Sequence, residues 1–146
     1  MNLAHKIGAL FYIFWGMIHI LGGSAIMLQD KASAQLAMQG TARPIEEFEH
    51  ISNATLNGIL SYHGFNIVWF GIFVIVVAIA FNWKNKIIGY WLNLTVISAI
   101  EIGLIVFMLI PENMLISDGS IGIVLFLLAL TFTTIGLRHN KHIINS

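Results

Sequence analysis

Four long runs of apolar residues, at 7–28, 57–81, 87–110 and 115–137, alternate with short stretches that hold nearly all of the charges. Each run reaches the ~20 residues that an α-helix needs to cross a ~30 Å hydrocarbon core. A charged side chain at the centre of such a run costs roughly 2.5–3.5 kcal/mol on insertion scales, which is why charges collect at the ends. The pattern predicts an all-α fold: one integral membrane four-helix bundle covering residues 1–146, with an outer loop at 29–56.

The breaks between runs carry their own signals. Asn82–Lys86 reads as a tight turn, Pro111-Glu112-Asn113 ends the third run, and Ser117-Asp118-Gly119 marks a second break before the fourth. In the outer loop, Lys31–Met38 is expected to form a short surface helix. Pro44 suits a first helical turn, and Glu46, Glu47 and Glu49 follow it where the helix dipole favours negative charge. A second helix running unbroken from there to Phe81 would be about 57 Å long at 1.5 Å per residue. Ala32-Ser33-Ala34 after the first run imitates a signal-peptide cleavage site. That run is longer than the ~7–15 residues of a signal core, so it is expected to be a retained helix.

Composition narrows the class further. The chain is 58% hydrophobic and only 10% charged, where soluble domains carry about 25% charged residues. Lys6, Lys84, Lys86, Arg138 and Lys141 flank one side of the predicted bundle. Lys31 and Arg43 stand on the other, among Asp30, Glu46, Glu47, Glu49, Glu112 and Asp118. The positive-inside rule then places both termini in the cytoplasm, with Trp83, Tyr90 and Trp91 as an inner aromatic belt. Lys+Arg and Asp+Glu balance at seven each, so no basic surface points to nucleic acid. The absence of cysteine excludes thiol–disulfide chemistry, thiolate metal sites and iron–sulfur clusters.

Candidate chemistry sits inside the apolar runs. Glu101 is the only acid between Ile87 and Ile110, while His19 and His63 interrupt the first and second runs. Counted from the run ends, His19 and Glu101 lie ~13 Å and His63 roughly 9 Å below the outer edge of the hydrocarbon. The three are expected to converge within about one helical turn. On the first helix Gly8, Tyr12, Trp15, Gly16, Gly22 and Gly23 share the face of His19, and small residues of this kind mark interhelical faces in membranes. Glu101 shares its face with Tyr90, Leu94, Ile97, Ser98, Ile105 and Met108. Tyr12, Trp15, Asn66 and Ser98 are therefore expected as ligand-binding neighbours of a His19, His63 and Glu101 centre.

On the second helix, Glu46, Glu49, His50, Ser52, Asn53, Asn57, Ser61, His63 and Asn66 would form a polar track from the outer water, a route for a proton, ion or polar substrate. The plainer reading is a wet flank on a helix that starts outside the membrane. Each histidine could equally hydrogen-bond a carbonyl or serine across helices, and Glu101 could be a structural carboxyl bonded to Ser98. Thr131, Thr133 and Thr134 can bond their own helix backbone.

With its four spans, inside termini and glycine-rich first helix, the chain resembles the DoxX-like small four-helix bacterial inner-membrane proteins. The resemblance implies a multi-pass protein of the bacterial cytoplasmic membrane and transfers no catalytic residue. Gly16-Met17-Ile18-His19 and Ser61-Tyr62-His63-Gly64-Phe65-Asn66 are its distinctive stretches. A four-helix membrane isomerase of sterol type is similar in using buried His and Glu.

Three functional readings follow. In the first, His19, His63 and Glu101 bind a small ligand or a divalent metal such as zinc or iron, or catalyse proton transfer on a lipid-like substrate. In the second, His19 and His63 ligate a b-type haem. In the third, the polar residues fix helix register in a structural or accessory subunit, with the outer loop meeting a membrane-protein partner or a second copy. A channel or transporter would need an oligomer to enclose a pore.

Overall fold

Apolar runs of this length have one way to satisfy their backbone groups in hydrocarbon short of a closed barrel, and that is the helix. The computed structural model describes residues 3–28 and 53–144, and within them the helices are α1 (Ala4–Leu28), α2 (Asn53–Ala80), α3 (Ile87–Leu104) and α4 (Ile116–Ile144). Among the described residues, four stretches are long and apolar enough to cross a membrane: Ala4–Leu28, Asn57–Lys84, Ile87–Leu109 and Ile116–His139. The chain is thus a small multi-pass membrane protein built as a four-helix bundle. The surface helix expected at Lys31–Met38, the helix start expected near Pro44, and Glu46, Glu49, His50 and Ser52 of the polar track lie outside the described residues.

Glycine sets how the helices meet. Gly16 and Gly23 on α1 oppose Gly71 and Gly64 on α2, and a Cβ on any of the four would fall within 2.7 Å of the facing glycine's carbonyl oxygen. Backbones can come that close only without side chains, the usual device where no hydrophobic effect drives helices together. On another side of α1, Gly8 packs on Ala129 and Thr133 of α4, and Gly136 of α4 packs on His5. α1 is accordingly the helix on which α2 and α4 are mounted, and α3 lies more loosely against the rest. Leu21, Trp69, Ile102 and Phe107 are among the large apolar side chains exposed on the outside, where a bundle meets lipid tails.

Between α2 and α3, Asn82–Lys84 forms a 3₁₀ turn and Asn85 adopts a left-handed conformation with φ 54°, one that asparagine tolerates. Its side-chain amide donates to Gly136 O at 3.1 Å, which ties the turn to α4. Buried Asn93 donates from Nδ2 to Oδ1 of buried Asn82 at 3.1 Å. At its other end α3 continues as a π turn over Ile105–Leu109, where Ile110 N–H donates to Ile105 O at 2.9 Å. The core between the helices contains Tyr12, Trp15, Val74, Ala78, Ile97, Phe126 and Ala129.

Candidate functional site

Steps of four residues along α3 place Gly89, Asn93, Ile97 and Glu101 on one buried face, as a 3.6-residue period requires. Glu101, only 4% exposed, stands at the outer end of that column. Its partner is Trp15 of α1, whose indole Nε1–H donates to Glu101 Oε1 at 2.7 Å. One turn further along α1, the His19 ring stacks on the Trp15 ring, with centroids 3.6 Å apart and planes 20° from parallel. His19 Nδ1 lies 2.7 Å from Trp15 O. A carbonyl can only accept, so Nδ1 carries the hydrogen and Nε2 of the neutral ring is left as an acceptor.

Gly122 of α4 completes the site. A Cβ at that position would lie 2.9 Å from Glu101 Oε1, 3.4 Å from His19 Cε1 and 3.5 Å from Trp15 Nε1. Three helices therefore close on one another where Gly122 has no side chain. Glu101 Oε2 is buried and has no hydrogen-bond partner among the described residues. An unpaired buried polar atom costs about 1–3 kcal/mol, so this oxygen is where a proton, water or ligand group would be stabilised.

The depth of the site follows from helix register. The α1–α4 contacts pair His5 with Gly136, Gly8 with Thr133 and His19 with Gly122. The same register continued by one turn brings Asp118 of α4 opposite Gly23 of α1. His19 is four residues inward of Gly23, about 6 Å at the helical rise. The site thus lies just below the end that carries exposed Glu112 and Asp118, the acidic end. Lys6, Lys84, Lys86 and Arg138 lie at the opposite, basic end.

The expected residues separate in this geometry. His19, Trp15 and Glu101 come together. His63 does not join them: its neighbour Gly64 is the residue that meets Gly23, so His63 is turned about 100° from α1. It is exposed and level with Asp118 instead of with Glu101. Among the described residues no group of three His, Asp or Glu side chains is placed to hold a metal ion. The pairing of His19 with His63 expected for haem meets the same displacement. Tyr12 is fully buried beside Thr133, and its hydroxyl has no well-formed partner. Asn66 and Ser98 are half-buried. Thr133 and Thr134 donate to the backbone of their own helix, to Ala129 O and Leu130 O, each at 2.7 Å.

Two members of the buried polar set were not anticipated. Gly122 gave no sign in the sequence beyond being a glycine in a span. Asn93 did carry a signal, since it precedes Glu101 by eight residues and so falls on the same helical face. No protein-family model, curated protein or solved structure matches this chain.

Proposed function

We propose that this protein is a membrane-embedded binding protein whose site is Glu101 with Trp15 and His19 around Gly122, and that a small lipid-like ligand donates a hydrogen bond or a proton to Glu101. The observation that carries the reading is the unequal state of the two carboxyl oxygens. Oε1 is held by the Trp15 indole at 2.7 Å, and Oε2 is buried without a partner among the described residues. A carboxyl fixed in orientation with one oxygen left open is prepared for a donor. Its place near the acidic end gives a short route to water on that side. His63, in this reading, lies outside the site.

A hydrophobic carbodiimide tests the proposal, since it reacts from lipid with protonated carboxylic acids. Bilayer-reconstituted protein should gain one adduct, mapped to Glu101 by peptide mass and absent from Glu101→Gln. No adduct at Glu101 would contradict an exchangeable, reachable carboxyl.

A structural role is the second reading, and one observation favours it. α1 packs chiefly on α2 and α4, so the Trp15–Glu101 bond is a polar bridge from α1 to the loosely held α3. Under that reading Glu101→Gln, which can still accept the indole hydrogen, would leave every property unchanged. The resemblance to DoxX-like proteins, and with it a bacterial cytoplasmic membrane, stays within this proposal. It is supported by the four spans and the glycine-rich α1.

A further inference from the structure

We propose that the ligand of the Glu101 site is a primary ammonium group carried on an apolar body; this rests on the reading of the site as a ligand site and specifies its chemistry. The lining decides the class. Trp15 has one polar hydrogen and gives it to Glu101 Oε1. His19 commits Nδ1–H to Trp15 O, which leaves the lone pair of Nε2. Glu101 Oε2 is a second open acceptor. With Glu101 ionised, what the site still presents is acceptors, so its occupant is a donor.

A ligand that satisfies both acceptors must donate at least twice. A hydroxyl has one hydrogen to give, a quaternary ammonium has none, and a primary ammonium has three. A divalent metal is the poorer occupant, since no third His, Asp or Glu among the described residues stands ready as a ligand.

Access agrees with charge. Glu112 and Asp118 are exposed at the near end of the bundle, and a negative rim concentrates cations. On α1, Gly22 lies one turn beyond His19 toward that end, and a Cβ there would meet nothing within 4 Å among the described residues. Gly22 and the half-buried His19 thus border a surface that no described residue covers at Gly22. An amine with an aromatic or alkyl body could place its head on Glu101 and keep its body among the apolar side chains.

Calorimetry on protein in lipid nanodiscs, with three probes of one shape, tests the assignment: 2-phenylethylammonium, 2-phenylethanol and its trimethylammonium analogue. The ammonium should bind saturably and at least tenfold more tightly than either analogue. A hydrogen bond to a charged group is worth about 1.5–3 kcal/mol, so Glu101→Gln should weaken it roughly tenfold to a hundredfold. Gly22→Leu should leave the melting temperature unchanged and weaken binding. Should Glu101→Gln fail to fold, protection of wild-type Glu101 from carbodiimide by 2-phenylethylammonium gives the same information.

Equal affinity for the three probes, absence of binding by the ammonium, or binding indifferent to Glu101→Gln would overturn the assignment. If carbodiimide still labels Glu101 when the amine fails, the ammonium class falls and the site stands; if neither reacts, both fall.

Discussion

Trp15 and Glu101 are 86 positions apart in sequence, and the indole of one donates to the carboxyl of the other at 2.7 Å inside the bundle. Neither partner has a substitute. Trp15→Phe leaves a buried Glu101 oxygen unpaired and should destabilise the protein by about 1–3 kcal/mol. The double change Trp15→Phe/Glu101→Leu removes donor and acceptor together and should recover most of that loss. Unfolding of the two single variants and the double variant in mixed micelles measures the coupling.

Gly122 and Gly22 form a matched pair of controls. Alanine at 122 would push a Cβ to 2.9 Å from Glu101 Oε1, whereas alanine at 22 would meet nothing within 4 Å. Gly122→Ala should lower stability by about 1–3 kcal/mol through overpacking and alter Trp15 fluorescence. Gly22→Ala should be neutral or stabilising by up to about 1 kcal/mol through helix propensity.

The α1–α2 contact should be equally sensitive. At Gly64 and Gly71 a Cβ would come 2.6 Å from a facing carbonyl oxygen, so the backbones themselves would have to part. Each alanine substitution should cost about 1–3 kcal/mol. Gly58→Ala, on the same helix with no neighbour within 4 Å, should not. Thermal shift in detergent distinguishes the three.

Four spans could be read from the sequence because lipid leaves so few alternatives, and Glu101 and His19 because an ionisable group is conspicuous in an apolar run. Their shared depth came from the helical rise alone. The offset in depth between His63 and His19, expected at roughly 4 Å, is about 6 Å in the structure, so what a count along the helix misses is the face of His63. The contact of Gly23 with Gly64 fixes the register between α1 and α2, and no count along one helix contains it. Orientation failed there for the same reason: Gly64 faces α1, so the residue before it faces elsewhere. The face expected for Glu101 holds buried Ile97 and core-packed Leu94 but lacks Gly89 and Asn93, which are buried in the same column. Beyond Glu101 the π turn at Ile105–Leu109 breaks the 3.6-residue phase that any periodicity argument extends.

His63, exposed and turned away from α1, should be dispensable to the site. His63→Ala should leave the Trp15–Glu101 bond intact, with unchanged carbodiimide labelling of Glu101 and a stability change within about 0.5 kcal/mol, as for other exposed positions. A loss of labelling as large as that of Glu101→Gln would return His63 to the site.

The most direct measurement is the Trp15 indole N–H resonance followed against pH in micelle-bound protein, assigned with Trp15→Phe. Its hydrogen is bonded to Glu101, and His19 is the other titratable group in contact with the ring. A carboxyl that exchanges protons at a reachable site should give a titration that persists in His19→Asn and disappears in Glu101→Gln. A resonance that does not move with pH, or moves equally in Glu101→Gln, would contradict the account.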